Sequence, residues 1–354
     1  MSVLRGMGLR NVRGTQVLIW LLPVVAGFSF CLTLVLRRYA LARSIIDIPN
    51  ARSSHSVPTP RGGGVAIVMC FLMALPMLVI FNVIDLRSMW AFLGAGAGIA
   101  ALGFLDDHGH IAARWRLLGH FAGAIWAIYW LGGLPPLMFL GFSLDLDWLG
   151  HALAVIYLVW LLNLYNFMDG IDGLASIEAI CVCIGGALLY AITSEQGVVL
   201  VPLLLAAAVA GFLFWNFPPA RIFMGDAGSG FLGITLGILS IQAAWVSSQL
   251  LWAWLILLGV FVVDATFTLI RRLIRGDKVY EAHRSHAYQY ASRQYGRHLP
   301  VTMTVLFINL FWLLPVALWV GLDGIDGALG LVIAYIPLIV LAVKYHAGEL
   351  ESAL

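Results

Sequence analysis

Long apolar stretches, separated by short polar segments, run along almost the whole chain. Each stretch is close to the ~20 residues that a helix needs to cross the hydrocarbon core of a bilayer. We place eleven of them near 17–36, 64–84, 89–105, 117–134, 148–167, 173–193, 198–216, 228–247, 250–270, 300–320 and 327–345. This pattern predicts an all-α polytopic membrane protein, a bundle of about 10–11 transmembrane helices in a single domain over residues 1–354.

Composition supports a membrane protein. Of 354 residues, 62% are hydrophobic and only 11% are charged, with a mean hydropathy of +0.95. A soluble protein of this length needs more charge to cover its surface. The net charge of +2 is too small to indicate nucleic-acid binding. The four cysteines lie in apolar stretches and have neither disulfide-framework nor zinc-site spacing.

The distribution of Lys and Arg predicts the sidedness of the helices. Fifteen of the 20 basic residues fall in alternate loops, at 37–63, 106–116, 168–172, 217–227 and 271–299. The opposite loops hold only Arg87. Because basic loops remain in the cytoplasm, we expect these five loops to face it. Arg5, Arg10 and Arg13 then fall on the outer side, against the rule.

Three acidic motifs lie in the basic loops. Asp106 and Asp107 end the third span and are followed by Arg114 and Arg116. Carboxylates at a helix C-terminus oppose the helix dipole, which favours a functional role over a solvated helix end.

The second motif is NFMDGIDGLA, in which Asn166, Asp169 and Asp172 are three residues apart. In a helix they would form one polar stripe. The alternative is a loop of Asp-Gly turns. Leu322–Gly327 is a nearly identical hexapeptide in an outer loop without the preceding Asn, and we interpret it as a turn.

A third motif opens the eighth span, running from Asn216 to Ser229. Free backbone N–H groups at a helix start favour phosphate. Asp226 could hold Mg²⁺, which takes one or two carboxylates together with phosphate oxygens and water. Phe223 could stack on a base. The alternative for Asp226 is a plain N-cap.

Two further loops carry candidate binding groups. In His283-Arg284-Ser285-His286 we favour Arg284 and His286 as ligands of a diphosphate, because cationic donors bind phosphate well. The segment from Asp47 through His55 to Gly64 contains three consecutive glycines. They serve either phosphate contacts or close helix packing.

Asp264, inside the ninth span, is a functional candidate because a carboxylate in the membrane is costly. The alternative is a structural ion pair with Arg271 or Arg272. Asp264 and the midspan Asn163 also leave open an ion-coupled transporter. A CDP-alcohol phosphotransferase is disfavoured, because no arginine follows Asp172-Gly-Leu-Ala at the required spacing.

Taken in order, PTPRGGG, LDD, NFMDGIDGLA, FMGDAGS and HRSH resemble the polyprenyl-phosphate N-acetylhexosamine-1-phosphate transferases, of the glycosyltransferase family 4 type. That family includes the enterobacterial GlcNAc-1-phosphate transferase and the phospho-MurNAc-pentapeptide translocase. The resemblance covers about Asp47 to His286. The family's HxHH pattern is replaced by His286-Ala-Tyr-Gln, and the chain looks closest to the branch that initiates O-antigen.

The resemblance implies a Mg²⁺-dependent enzyme, with Mn²⁺ as an alternative, in the bacterial inner membrane. It would transfer an N-acetylhexosamine- or deoxyhexosamine-1-phosphate from a UDP-sugar to undecaprenyl phosphate, releasing UMP. A homodimer is left open. The implied catalytic residues are Asp106, Asp107, Asp169, Arg114 (commonly Lys in the family) and His286; the implied substrate-binding residues are Asn166, Asp172, Phe223, Arg116, Arg284, His55 and Asn216; Asp226 is the implied metal ligand.

Overall fold

The computed structural model describes residues 18–49, 54–109, 111–193, 198–277 and 283–350. In chain order the helices are α1 (Leu21–Ala42), α2 (Val65–Ile80), α3 (Leu86–His108), α4 (Ala113–Leu131), α5 (Asp147–Met168), α6 (Leu174–Ile192), α7 (Leu200–Asn216), α8 (Asp226–Val246), α9 (Ser248–Leu257), α10 (Gly259–Arg275), α11 (Ala287–Tyr295), α12 (Leu299–Ile308), α13 (Leu314–Gly321) and α14 (Gly327–Lys344). The basic residues of the N-terminal tail, Arg52, Lys278 and the link 194–197 lie outside the described residues.

Each predicted span coincides with one helix or a broken helix. Seven helical segments in the described ranges are long and apolar enough to cross a membrane, with α12, a π-helical turn and α13 counted as one. An eighth is added if α9 and α10, which meet at a 71° bend, form one span, and α2 and α7 are shorter apolar helices. The all-α polytopic architecture is confirmed, and the predicted ninth span is a bent helix pair.

Two short antiparallel strand pairs supplement the helices. β1 (Ile46–Asp47) pairs with β2 (Thr59–Pro60), and β3 (Leu137–Phe139) pairs with β4 (Phe142–Leu144). β1 and β2 join the two ends of the loop between α1 and α2.

That loop is also bonded to the segment between α7 and α8. The Phe223 N–H donates to the Pro60 carbonyl at 2.8 Å, and the Gly63 N–H donates to the Phe223 carbonyl at 3.0 Å. A β-carbon on Gly63 would lie 2.6 Å from the Phe212 ring. Close packing is therefore the role that the structure supports for this glycine.

Helix α8 is the most deeply buried of the candidate spans. Within its most apolar 18 residues 83% are buried, against 17% in α1. Glycines let its neighbours approach: a β-carbon on Gly233 would lie 2.6 Å from the Leu162 Cα of α5, and Gly103 of α3 packs on the Asp226–Ala227 backbone. Small residues permit such contacts where no hydrophobic effect drives helices together.

The turn before α14 has the structural role expected of it. The Asp326 carboxylate accepts hydrogen bonds from the N–H groups of Ala328 and Leu329, at 2.9 and 3.3 Å, and so caps the helix. The DGIDG sequence alone is thus compatible with a plain helix cap.

We predict that Gly233→Ala destabilises the bundle, because the added methyl group meets backbone rather than a movable side chain. Overpacking of this kind costs about 1–3 kcal/mol. Thermal unfolding of the purified protein in detergent measures it. Gly98→Ala in α3 is the matched control, since its β-carbon meets nothing within 4 Å. Equal midpoints for the two variants would contradict the packing assigned to Gly233.

Candidate active site

A polar cleft of about 380 Å³ lies where the basic, predicted cytoplasmic loops meet. A second cleft, of about 640 Å³, adjoins it and shares Ser54, His55 and Phe223. The first is lined by Asp47, Ser54, His55, Arg61, Asp107, Asn166, Asp169, Gly170, Ile171, Asn216, Phe223, Gly225, Asp226, Ser229, His283 and Gln289. Motifs far apart in the sequence therefore converge on one site.

Asp107 caps the start of α8. Its two carboxylate oxygens accept hydrogen bonds from the N–H groups of Asp226 (3.2 Å) and Ala227 (3.4 Å), and the residue is 5% exposed. Gly225 has a φ of +78°, and a β-carbon there would lie 2.6 Å from Asp107 Oδ2, so glycine is required. The amides expected to receive phosphate at this helix start are instead bonded to Asp107.

Asp106 points to a different partner. Its Oδ2 accepts a 2.6 Å hydrogen bond from Arg116 Nη1, and its Oδ1 accepts one of 2.7 Å from the Ile111 N–H. The same Arg116 nitrogen lies 3.7 Å from Asp226 Oδ2. Arg116 thus links Asp106 to Asp226, and all three line a small pocket beside the first cleft.

Asn166, in the last turn of α5, fixes the other side of Asp226. Its Nδ2 donates to Asp226 Oδ1 at 3.0 Å and to Ser229 Oγ at 3.1 Å. Helix α5 ends at Met168, so the predicted polar stripe does not continue beyond Asn166. Asp169 and Asp172 belong to a turn and line different clefts.

Asp169 lines the first cleft, and no described residue donates a hydrogen bond to its carboxylate. Burial raises the pKa of Asp169 well above its usual range, and the carboxylates of Asp226 and Asp107 raise it further. Like charges this close disfavour ionisation unless a cation neutralises them. The cleft therefore has the electrostatics of a cation site.

Asp172 and Asn216 shape the loops around the clefts. Asp172 Oδ2 accepts a 2.9 Å hydrogen bond from the Ala220 N–H. Asn216 is 3% exposed; its Oδ1 accepts from the Gly173 N–H at 3.0 Å and its Nδ2 donates to the Ile222 carbonyl at 3.1 Å. Asn216 therefore joins the start of α6 to the loop before α8. Phe223 at the end of that loop faces both clefts, its ring edge-on to His55.

Arg114, Arg284 and His286 line neither of the two clefts. Arg114 is exposed, its guanidinium 5.7 Å from the Trp115 ring. Arg284 is half-buried outside the cleft lining. His286 is 1% exposed and stacks behind His283, with ring centroids 4.8 Å apart. Of this loop's two histidines, His283 reaches the cleft.

Asp264 caps α11. Its Oδ1 accepts from the Ala287 N–H and its Oδ2 from the Tyr288 N–H, both at 3.0 Å, while Thr268 Oγ1 also donates to it. The structural role is therefore supported, with the backbone of α11 as the partner in place of the expected Arg271 or Arg272.

Sequence reasoning missed three groups at these clefts. Arg61 Nη2 donates to the Asp107 carbonyl at 2.6 Å, so its guanidinium lies beside the acidic cluster. Burial lowers the pKa of His283 to about 3, and the charges of His286 and Arg272 add to this, which makes His283 a neutral wall of the cleft. His298 lines the second cleft. Arg61 could have been identified from its position in the motif PTPRGGG, whereas His298 lies outside every motif.

The residues present fit Mg²⁺. No three Asp, Glu, His or Cys side chains of the described chain form a ready-made metal cage. Mg²⁺ does not require one, because it commonly takes one or two carboxylates and completes its shell with water and substrate phosphate. The Asp226 side chain is 37% exposed, whereas both Asp107 oxygens are bonded to amides. Asp226, with Asp169 in the same cleft, would hold the ion.

Comparison with known proteins agrees with this chemistry. The family model described as Glycosyl transferase family 4 matches residues 89–244. A probable undecaprenyl-phosphate N-acetylglucosaminyl 1-phosphate transferase of Bacillus subtilis is 32% identical over 288 residues, covering 79% of this chain and 77% of the relative. An undecaprenyl-phosphate alpha-N-acetylglucosaminyl 1-phosphate transferase of Thermotoga maritima is 29% identical, with 82% and 87% covered.

A phospho-N-acetylmuramoyl-pentapeptide-transferase of Desulforamulus reducens is 29% identical over 280 residues, covering 72% of this chain and 81% of the relative. The helical bundle, the acidic cleft and these similarities define a membrane-embedded phosphosugar transferase. The chain belongs to glycosyl transferase family 4, and the resemblance seen in its motifs is confirmed.

We predict that Asp107→Ala lowers both stability and activity, because it leaves two N–H groups at the start of α8 unpaired. Loss of a helix cap costs about 0.5–2 kcal/mol. Asp85→Ala is the matched control: Asp85 caps α3 through the Ser88 N–H at 2.8 Å, at the other end of that helix. Unfolding midpoints should fall for both variants, whereas sugar-phosphate transfer should fall only for Asp107→Ala. Full transfer by Asp107→Ala would contradict this role.

Proposed function

We propose that the protein transfers N-acetylglucosamine-1-phosphate, or a closely related N-acetylhexosamine- or deoxyhexosamine-1-phosphate, from a UDP-sugar to undecaprenyl phosphate. The products are undecaprenyl-diphosphate-sugar and UMP, and the lipid product initiates a surface glycan such as O-antigen. The B. subtilis and T. maritima relatives, whose names specify undecaprenyl phosphate and N-acetylglucosaminyl 1-phosphate, support this choice of acceptor and sugar.

The observation that carries the proposal is the setting of Asp226. One carboxylate oxygen accepts from Asn166 and the other faces Arg116, which also binds Asp106. An acidic centre beside fixed cations suits a reaction in which two anionic phosphates must meet.

In the proposed reaction an oxygen of the lipid phosphate attacks the β-phosphorus of the UDP-sugar. A new P–O bond forms, the bond from the β-phosphorus to the bridging oxygen breaks, and UMP leaves with that oxygen. Arg116 and Arg61 offset the repulsion between the two anions. Asp226 would hold Mg²⁺, which would supply further neutralisation of phosphate charge.

Asp106 orients rather than deprotonates in this scheme. A phosphate monoester has a second pKa of about 6, so the nucleophile is already largely ionised. The Asp106 carboxylate is held by Arg116 and the Ile111 N–H, and its role is to aim the Arg116 guanidinium at the phosphate.

The donor is proposed to lie across both clefts. Its diphosphate would occupy the first cleft, near Asp226, and its uracil end the second, where Phe223 offers an aromatic face and Asp172 lines the wall. The basic loops around the clefts favour a cytoplasmic active site in the bacterial inner membrane.

The transporter alternative loses its main support. It relied on Asp264 as a membrane carboxylate available to an ion, but both oxygens of Asp264 accept hydrogen bonds from the N-terminal amides of α11. Asn163 donates to the Val159 carbonyl at 2.7 Å, within its own helix.

We predict that Asp226→Asn lowers transfer by roughly 100-fold or more, because the variant loses the charge that holds the cation. The assay incubates purified protein with undecaprenyl phosphate and radiolabelled UDP-GlcNAc and counts lipid-linked product. Asp326→Asn, at the N-cap of α14, is the control and should transfer normally, because that aspartate has a capping role away from the clefts. Wild-type turnover by Asp226→Asn would remove the metal assignment.

Chelation tests the cation separately. Stripping divalent ions with EDTA should abolish transfer, and added Mg²⁺ should restore it, with Mn²⁺ as the second ion to try. A panel of UDP-sugars in the same assay identifies the donor. Undiminished transfer after chelation, or the absence of lipid product with every donor, would contradict the proposed function.

A further inference from the structure

His298, the residue before α12, joins two distant segments at the second cleft. Its Nε2 lies 2.9 Å from the Ser54 carbonyl oxygen, and its Nδ1 lies 3.0 Å from Asp172 Oδ1. The side chain is 15% exposed. A single imidazole therefore connects the loop between α1 and α2, the turn between α5 and α6, and the start of α12.

Both partners lead on to Phe223. Ser54 precedes His55, whose ring centroid is 4.8 Å from that of Phe223 at an interplanar angle of 67°. The second oxygen of Asp172 accepts from the Ala220 N–H at 2.9 Å, three residues before Phe223. Bonds and contacts thus close a ring, and its six members all line the second cleft: Ser54, His55, Asp172, Ala220, Phe223 and His298.

The partners define the protonation state of the imidazole. A carbonyl oxygen accepts only, so Nε2 carries a proton. The Asp172 carboxylate also accepts only, so its bond is made fully when Nδ1 is protonated as well. The neutral ring can still accept from the Asp172 N–H, 3.3 Å from Nδ1. Charging the imidazole therefore exchanges a weak backbone contact for an ionic hydrogen bond.

The surroundings favour the charged ring. Burial works to lower the pKa of His298, but the hydrogen bond to Asp172 and its negative charge outweigh burial, and the pKa is raised above its usual value. The other ionisable groups lining this cleft are His55, Arg293 and Arg297. Asp172 is the acidic residue in the lining of this cleft, and the loop that contains Ser54 contributes a backbone carbonyl.

We propose that His298 is a positioning residue for the nucleoside part of the donor. By joining Ser54 to Asp172 it holds Phe223 in the orientation in which the ring can stack on a base. The inference rests on the proposed function and deepens it, because it assigns a residue to recognition of the nucleotide. His298 acts through Phe223, away from the reacting phosphorus, so it affects donor binding rather than the chemical step.

The test compares steady-state kinetics of the full-length wild type and His298→Ala in detergent with undecaprenyl phosphate. Two hydrogen bonds, one of them ionic, are lost, so the KM for UDP-GlcNAc should rise about tenfold. We expect kcat and the KM for undecaprenyl phosphate to change by less than about twofold, because the variant leaves the reacting groups in place.

Two conservative variants separate the bonds. His298→Asn keeps an N–H near the position of Nδ1 and can still bind Asp172, whereas His298→Gln keeps one near Nε2 and can still bind Ser54. Each should recover part of the lost donor affinity. A merely space-filling role would give no such rescue.

The pH dependence provides a further readout. The ionic bridge is complete below the folded-state pKa of His298 and is lost as the pH rises through it. The wild-type KM for the donor should therefore increase over that range, while His298→Asn and His298→Gln should lack this increase. Comparing variants at each pH removes titrations of the substrates, which all three proteins share.

His151→Ala controls for the loss of a structural histidine. Its Nδ1 accepts from the Leu134 N–H at 3.1 Å, between the loop after α4 and the first turns of α5. This variant should lower the unfolding midpoint without changing the KM for the donor.

A donor KM within about twofold of wild type in His298→Ala would overturn the inference, as would equal losses in kcat and in the KM for both substrates. If His298→Ala does not fold, the other two variants decide: wild-type KM and pH dependence in both would overturn it. Failure of the proposed function looks different, since the wild type itself would then give no lipid-linked product.

Discussion

The organisation of the site depends on the bond between Asp107 and the first turn of α8. A helix that begins inside a protein leaves its first N–H groups without helical partners. Here α3 supplies both missing acceptors through one carboxylate. Because Asp107 is the penultimate residue of α3 and Asp226 is the first of α8, this bond fixes the two helix ends against each other. Gly103 and Gly225 are the small residues that allow so close an approach.

The cap also determines how the remaining acids divide their roles. Asp107 is saturated by amides, so its charge is stabilised by the start of α8. Asp106, next to it, points roughly 100° away around the helix and binds Arg116 instead. Asp226 remains partly exposed, and Asp169 has a raised pKa from burial and like charges. Only the last two keep oxygens directed at the cleft, which is the arrangement that a substrate-bridged cation requires.

The helices and several residues of the site could be predicted from the sequence, because each follows from a physical constraint that leaves a pattern in the chain. Apolar runs located every helix of the bundle except the nine-residue α11, because a bilayer imposes length and hydrophobicity on its spans. The alternation of Lys and Arg gathered the acidic motifs into one set of loops, and those loops do meet at the clefts. Asp107, Asp169 and Asp226 come from three separate motifs and line the same cavity.

Other features depended on contacts that no local pattern encodes. The partners of Asp107 are about 120 positions away, and those of His298 are Asp172 and Ser54. The 71° bend between α9 and α10 lies in an unbroken apolar run, and α5 ends four residues before the predicted stripe would finish. Arg114, Arg284 and His286 were predicted to bind phosphate because they are cationic or can become so. In the structure none of the three lines either cleft, and His286 is buried.

Buried acids in this bundle also show why membrane position alone does not identify a functional carboxylate. Asp264 satisfies the start of α11, and the Glu178 carboxylate of α6, which is fully buried, accepts a 2.7 Å hydrogen bond from Asn309 Nδ2 where the π-helical turn begins. Each lies where regular helical bonding is interrupted. In a bilayer such interruptions must be satisfied by protein groups, because water is scarce. A carboxylate such as Asp264, with both oxygens bonded to backbone amides, is structural, whereas one that stays partly exposed in a polar cleft is a candidate for chemistry. Asp226 meets the second condition, whereas the Asp326 carboxylate serves as the cap of α14.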